Sequence, residues 1–499
     1  MIDDVKRDSL DQNSDLYLYM PRRTKIVATL GPATDAAGVL DKLIEIGVDT
    51  VRMNLSHDTH EIHKKRADLV HDRAHAHGRP VGILVDLQGP KIRIGKFKNK
   101  KITLKEGDEF VLDVDMDLDA GSQERVGVTY KDLHKDVSRG ATLLLDDGRI
   151  ALWVEKVEGN EIHCRVTIGG PLSNNKGINR QGGGLSAAAL TGKDREDIKF
   201  AAELDADYLA VSFPRTADDV NEARELFRAA GGKGGIVAKI ERAEAIDEIE
   251  SILEASDAIM VARGDLGVEI GDAAVPPIQK RLIKLARSHN IIVITATQMM
   301  ESMIESPIPT RAEVSDVANA VIDGTDAIML SAETAAGKYP VEAVQAMDRV
   351  CLVAEQTHEV THSEHRMEVK FKRIDEAIAM ATMYSANHLP VRAIASLTES
   401  GSTALWMSRI SSGVPIYALT PHVETRRKVT LYRGVYPVGF ELPSDDPAEV
   451  MQEAVDELRR RGAVRDGDIV VITIGEPLAK PGGTNTMKIV TVGEIITDE

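Results

Sequence analysis

The feature that most narrows the folds open to this chain is a repeated beat between residues 25 and 330: a short apolar run, then a longer amphipathic stretch. The runs cover residues 25–30, 49–53, 82–87, 207–213, 236–240, 257–261, 291–295 and 326–330. They are apolar along their length rather than alternating, the pattern of strands buried on both faces of a parallel sheet. Between them, residues 39–46, 218–230, 243–255, 277–287 and 312–322 carry apolar side chains at three- and four-residue spacing, which predicts helices. Eight such units predict a closed (β/α)8 TIM barrel rather than an open sheet. Pro309 and Thr310 signal the start of the last of these helices and leave open which residue caps it.

The beat breaks after the third run. Short alternating strands at 101–104, 109–114, 142–145, 151–157 and 161–166, separated by Gly-containing turns, predict an inserted all-β lid domain, a small barrel or sandwich over the barrel mouth. Gly182, Gly183 and Gly184 read as a flexible return to the barrel. Beyond a polar linker at 358–372, strands at 392–396, 416–419, 435–438 and 469–474 alternate with helices at 374–388, 403–410 and 448–460. A last run at 488–493 follows a turn and pairs antiparallel, giving a C-terminal doubly wound α/β domain. The expected division is an arm at 1–21, a barrel at 22–90 and 188–357, a β-barrel lid at 91–187 and a regulatory domain at 358–499.

Charge limits the partners. With 61 Lys and Arg against 79 Asp and Glu, the net charge is -18, which argues against nucleic acid or an anionic membrane as partner. Cys164 and Cys351 are the only cysteines, too few for a disulfide framework. No apolar run reaches 18 residues, and the first twenty residues lack the basic-then-apolar order of a secretory signal. The expected location is the cytoplasm.

Catalytic residues of such barrels lie at the carboxyl ends of the strands. Six of the eight ends carry charge or hydroxyl just past an apolar run, more than rim solvation explains. Arg52 with Asn54, Lys239 with Glu241 and Thr295 with Thr297 share faces, being two apart in extended chain. Arg52 and Lys239 can hold a phosphate or carboxylate. Glu241 and Asp265 offer oxygen ligands that suit Mg2+, which keeps waters and takes substrate oxygens. Together they point to phosphoryl transfer. A structural ion pair or a Schiff-base lysine remain alternatives for Lys239, the second disfavoured because the neighbouring Glu241 keeps the lysine charged. The histidines at 57, 60, 63, 71, 75 and 77 read as a solvated helix face except His57, and those at 358, 362 and 365 as linker. The glycine-rich 231–235 precedes a strand and so is no nucleotide fingerprint.

The segments MNLSH at 53–57, DLQGPKIRI at 86–94, AKIE at 238–241, VARGDLGVE at 261–269, ATQMMESM at 296–303, PTRAEVSDVANA at 309–320 and IMLSAETAAG at 328–337 resemble pyruvate kinase. The likeness runs over nearly the whole chain past Pro21. It implies transfer of phosphate from phosphoenolpyruvate to ADP, giving pyruvate and ATP in the last step of glycolysis. It implies Glu241 and Asp265 as ligands of Mg2+ or Mn2+, and Lys239 and Arg52 on the phosphoryl group. The backbone amides of Gly264 and Asp265, with Thr297, would position the substrate carboxylate. Thr297 would serve protonation of the enolate, with Ser331 and Glu333 in the same relay. Asn54, His57, Arg93 and Lys193 match positions that meet the nucleotide, and the family implies a homotetramer.

One departure stands out. Family members that require K+ carry Thr and Glu where this chain has Leu87 and Lys91. The Lys91 ammonium, near Asp86, would then replace the bound cation; the plainer alternative is a solvent-facing lysine at a hinge. Thr398, Ser400, Gly401, Ser402 and Thr403 follow a strand and open a helix, where hydroxyls and amides can cradle a phosphate or simply cap the helix. With residues 480–486 they match the family's allosteric effector pocket. No Lys or Arg occurs between Arg433 and Arg459, where bisphosphate-activated members place a basic residue. This implies a monophosphate effector, a sugar phosphate or nucleotide. Competing readings are a phosphoenolpyruvate or pyruvate lyase or aldolase on the same barrel, and an inactive sugar-phosphate sensor.

Overall fold

A computed structural model describes residues 21–361, 370–480 and 482–494. The arm at 1–20 and part of the expected linker lie outside the described residues. All eight apolar runs form strands: β1 (Lys25–Thr29), β2 (Thr50–Asn54), β3 (Gly82–Asp86), β4 (Tyr208–Val211), β5 (Gly235–Ile240), β6 (Ala258–Ala262), β7 (Ile292–Ala296) and β8 (Ala327–Leu330). Each pairs in parallel with its neighbours, and β8 returns to β1, closing the barrel. Their residues are buried on both faces, which is why the runs lack alternation.

The helices differ from expectation in instructive ways. The span 243–255 is two helices, Ala243–Asp247 and Ile249–Ala255, because Glu248 takes φ -93°, ψ 15° between them. The span 277–287 starts earlier, at Val275, since Pro276 and Pro277 sit in the first turn, where a missing N–H costs nothing. Thr310 is the cap left open above: its hydroxyl accepts from Glu313 N at 3.2 Å and Glu313 returns a carboxylate to Thr310 N at 2.7 Å.

Between β3 and β4 lies a six-stranded sheet in the order 178–180, 142–145, 150–158, 161–168, 109–113, 125–127, with a two-stranded ribbon of 101–104 and 170–173 and one helical turn at Leu133–Asp136. Gly182–Gly184 is a docked turn rather than slack chain. All three glycines have positive φ, Gly182 N donates to Glu269 O at 2.9 Å, and Gly184 N donates to the Glu244 carboxylate. A Cβ on Gly183 would stand 2.7 Å from that carboxylate.

The last sheet comprises β9 (Val391–Leu397), β10 (Ile416–Thr420), β11 (Val435–Gly439), β12 (Ile469–Gly475) and β13 (Thr484–Thr491), in the order β11-β10-β9-β12-β13. Only β13 runs antiparallel, as its turn connection required. This domain seals the amino end of the barrel. Lys25 Nζ donates to Val435 O at 2.6 Å, Tyr208 Oη to Lys428 O at 2.7 Å, and Thr50 and Thr430 hydroxyls meet at 3.0 Å. Barrel-interior Val27, Met260 and Ile294 form one buried apolar cluster with Val429, Leu431 and Tyr432. With that end filled, the opposite mouth is left for a site. Among the described residues no helix is long and apolar enough to cross a membrane.

Candidate active site

The carboxyl ends of β2, β3 and β5 carry a buried charged knot. Lys239 Nζ lies 2.9 Å from the Glu241 carboxylate and 3.3 Å from Asp86, and donates to Ser212 Oγ at 2.7 Å. Ser212 in turn donates to Leu87 O at 2.8 Å. Arg52 Nε donates to Asp86 at 2.7 Å and its Nη1 to Thr29 Oγ1 at 3.1 Å. Burial opposes the Lys239 ammonium, but Asp86 and Glu241 outweigh it and raise its pKa, so the lysine stays charged and is no Schiff-base nucleophile. Burial would likewise raise Asp86; Lys239 and Arg52 overcome it and hold the carboxylate below its ordinary value.

Two turns hold this knot in place. Gly89, at φ 67°, passes so close to Ser212 that a Cβ would stand 2.8 Å from the serine Cβ. Phe213 takes φ 54°, a costly conformation for an aromatic residue, and thereby aims its N–H at Glu241 Oε2, 2.9 Å away.

These groups face a cavity of about 300 Å3 between the barrel mouth and the inserted sheet. Arg52, Lys239, Glu241 and Asp265 line it from the barrel, and Arg93, Asp147 and Asn179 from the insertion. Glu241 is pushed up to about 7 by burial, with Asp265 adding to the effect against Lys239. Asp265 is raised by burial, with Asp147 and Asp86 adding to it against Lys239 and Arg52. Glu241 is thus destabilised by burial and Asp265, and Asp265 by burial, Asp147 and Asp86, so a divalent cation near these carboxylates would offset the cost. Among the described residues no group of three or more His, Cys, Asp or Glu is arranged for a metal. An ion here would complete its shell with water and substrate oxygens, which suits Mg2+.

The ends of β6, β7 and β8 form a second wall. Thr297 and Gln298 take φ 65° and 57° in succession, held by Arg263, which donates to Thr297 O at 2.8 Å and pairs with Asp316 at 2.6 Å. Thr297 Oγ1 accepts from Gly264 N at 2.8 Å and donates to Ala296 O at 2.7 Å. The Gly264 amide expected to receive the substrate carboxylate is therefore engaged by Thr297. Ser331 Oγ is buried without a partner. Glu333 accepts from Ser331 N at 2.7 Å and Met300 N at 3.1 Å, which makes it a fastener of these loops.

Of the four nucleotide positions, Asn54 and Arg93 line the cavity, while His57 and Lys193 stand outside its wall. Lys193 donates to Leu55 O at 2.8 Å and is paired with Asp197. Lys91 lies on the cavity wall, its Nζ 3.5 Å from Ser56 O, while Asp86 is paired with Arg52 and Lys239 rather than with Lys91. Burial, then Arg93 and Lys193, lower the Lys91 pKa against Asp194, so the three cations share one neighbourhood.

Sequence reasoning missed Ser212, Arg242 and the central part of Asp86. Ser212 had a signal, since it directly follows β4 at the strand's carboxyl end, but it lay inside the apolar run 207–213 and was not singled out. Arg242 lines the cavity with its Nη1 buried and unpartnered, and lay hidden beside the more obvious Glu241.

At the other site, Gly401 caps the helix Ser402–Ser408 at φ 81°, its N–H donating to Thr398 Oγ1 at 2.9 Å. Ser400 and Ser402 hydroxyls meet at 2.8 Å, and Thr403 is turned inward onto Thr484 at 2.8 Å. A small pocket here is lined by Thr398, Ser400, Ser402 and Thr403, with Lys480 its one cation among the described residues.

Comparisons with known proteins agree with this geometry. Residues 21–344 match the family model "Pyruvate kinase, barrel domain", and residues 376–490 match "Pyruvate kinase, alpha/beta domain". The chain is 56% identical over 475 residues to "Pyruvate kinase II" of Salmonella typhimurium, covering 94% of this chain and 99% of that one. It is 54% identical over 460 residues to "Pyruvate kinase" of Haemophilus influenzae, covering 91% and 96%. Against "Pyruvate kinase" of Geobacillus stearothermophilus the identity is 44% over 483 residues, covering 96% and 81%.

Proposed function

The chain belongs to the pyruvate kinase family of transferases, whose substrates are phosphoenolpyruvate and ADP and whose products are pyruvate and ATP, and from that premise we propose how its own residues divide the work. Lys239 and Arg52 grip the phosphoryl group and neutralise the charge that develops on it and on the departing enolate oxygen. Glu241 and Asp265 hold Mg2+ or Mn2+, which when bound supplies charge neutralisation to substrate oxygens. Thr297 and Ser331 stand where the enolate carbon takes up its proton, with Glu333 fixing their loops. Asn54 and Arg93, with His57 and Lys193, receive the nucleotide. The fixed constellation supplies position and charge rather than covalent chemistry.

The observation that carries this reading is the Lys239 ammonium, held at once by Asp86, Glu241 and Ser212 in the wall of the cavity. The test is a coupled assay of pyruvate release from phosphoenolpyruvate. Release that requires ADP supports the kinase; release without ADP points to a lyase or aldolase, and none to a sensor.

The catalysis is independent of K+. The support is Lys91, whose ammonium lies on the cavity wall 3.5 Å from the Ser56 carbonyl and so brings a fixed positive charge to the site. Replacing K+ by tetramethylammonium should leave kcat within about twofold, and Lys91→Glu should make the rate depend on added K+. Strong stimulation of the unaltered enzyme by K+ rejects the assignment.

The pocket at Thr398–Thr403 takes a monophosphorylated effector, a sugar phosphate or a nucleotide. Its hydroxyls and its single lysine supply one phosphate's worth of donors. Titrating monophosphates should shift the phosphoenolpyruvate half-saturation, and Ser402→Asp should abolish the shift without lowering kcat. Tight activation by fructose bisphosphate alone contradicts this. The working assembly is a homotetramer in the cytoplasm, with no nucleic acid or membrane partner.

A further inference from the structure

We propose that Arg242 is a further catalytic residue, its guanidinium donating to a non-bridging oxygen of the transferring phosphoryl group. The assignment rests on the reading of the cavity as a pyruvate kinase site and adds a third cation to Arg52 and Lys239. Arg242 takes extended backbone, φ -121° and ψ 151°, between Glu241 and the helix Ala243–Asp247. Its side chain lines the same cavity as Arg52, Lys239, Glu241 and Asp265. The residue is 3% exposed, and among the described residues its Nη1 is shut off from solvent with no acceptor.

An arginine cannot shed its charge, so a buried guanidinium nitrogen without an acceptor is costly. The acids close by are turned to other donors. Glu241 takes Lys239 and Phe213 N, Glu269 accepts from Ala243 N at 2.9 Å, and Glu244 accepts from Gly184 N. Burial pushes Glu269 up to about 7 against the pull of the Ala243 amide and Arg242, with Glu244 and Asp265 adding to the rise. A closed ion pair with Arg242 would hold that carboxylate low instead. The two cations already assigned to the phosphoryl group are matched. Arg52 is paired with Asp86, and Lys239 with Asp86 and Glu241. Two cations against two carboxylates leave that knot neutral, and Asp265 adds a negative charge on the same wall. A phosphate monoester brings close to two more. Lys91 and Arg93 also line the cavity but are partly exposed, so water serves their donors. Arg242 is the buried cation left to meet the phosphate, and its planar fork matches phosphate oxygens.

Calorimetric titration and steady-state kinetics of Arg242→Gln against the wild type test this. Affinity for phosphoenolpyruvate in the absence of ADP should fall about tenfold or more, and kcat by about 10^2-fold. Affinity for pyruvate, which lacks the phosphate, and KM for ADP should stay within about twofold. Equal weakening of phosphoenolpyruvate and pyruvate overturns the assignment, since it puts Arg242 on the carboxylate. So does a lower melting midpoint with unchanged affinities, the mark of a counter-charge to Glu269 alone. Co-crystals of the wild type with phosphoenolpyruvate and Mg2+ but no nucleotide decide the matter even if Arg242→Gln fails to fold. A guanidinium nitrogen of Arg242 within about 3.2 Å of a phosphate oxygen is expected; a guanidinium farther off, or seated on a carboxylate of this chain or a second copy, overturns the proposal. A wild type that forms no pyruvate from phosphoenolpyruvate and ADP brings down the parent reading and this one with it, whereas an active wild type beside an unchanged Arg242→Gln brings down this assignment alone.

Discussion

Replacing Lys239 with Met should lower kcat for ADP-dependent pyruvate formation by at least about 10^2–10^3-fold, the loss that follows removal of one preorganised charge-stabilising donor. The side chains are close in length, so the change removes charge and hydrogen bonds rather than volume. Lys239 is also the shared partner of two buried carboxylates, Asp86 and Glu241. Breaking a buried pair costs about 3–5 kcal/mol, so the unfolding midpoint should fall as well. Arg52 still pairs with Asp86, and the knot lies at the mouth rather than in the apolar core, so the variant should stay folded at 25 °C. Kinetics and a thermal melt on one sample separate the two effects. Lys239→Arg tests whether charge alone suffices: it keeps the charge but offers a planar fork to partners arranged around a point ammonium. A Lys239→Met enzyme that is folded and within tenfold of wild-type kcat would remove the lysine from the chemistry.

The second large effect lies at the opposite end of the barrel. Asp326→Ala strands Arg409, whose side chain is fully buried and forms its bidentate pair with that carboxylate. The expected loss is about 3–5 kcal/mol, read as a lower denaturant midpoint or as a separate early unfolding of the last domain. Arg409→Met alone should also destabilise, because among the described residues it leaves Asp326 with the amides of Val293 and Arg433, at 2.9 and 3.3 Å. The double variant Asp326→Ala, Arg409→Met should recover part of the loss, since neither charge is then left alone. The catalytic groups sit at the other end of the strands, so kcat at 15–20 °C should change little. Single variants that each cost under about 0.5 kcal/mol would show that the pair contributes little and that the other contacts hold the joint.

Both predictions rest on contacts that differ greatly in how far the sequence revealed them. The eight barrel strands were legible because burial on both faces leaves an unbroken apolar run, a signal local to each strand. The helices Val39–Ile46 and Ile374–His388 were legible to the residue because their apolar spacing ends at clear boundaries. The break at Glu248 was not, because the apolar spacing continues across it and only the packing of two short helices requires the kink. The glycine run at 182–184 spelled a turn but not its docking on Glu244 and Glu269, which come from another part of the chain.

The sequence by itself determined the barrel, the insertion, the last sheet and the strand ends that carry charge, because each depends on side chains close together along the chain. It also delivered Lys239 beside Glu241 and Arg52 beside Asn54, since alternation in a strand is a local rule. Only the tertiary structure decided that Asp86 serves Arg52 and Lys239 together, that Ser212 completes the lysine's partners, that Thr297 occupies the Gly264 amide, and that Arg409 closes on Asp326. Those pairings join residues remote in sequence, and a charge's environment depends on which neighbours folding brings within a few ångströms, a distance no spacing along the chain records.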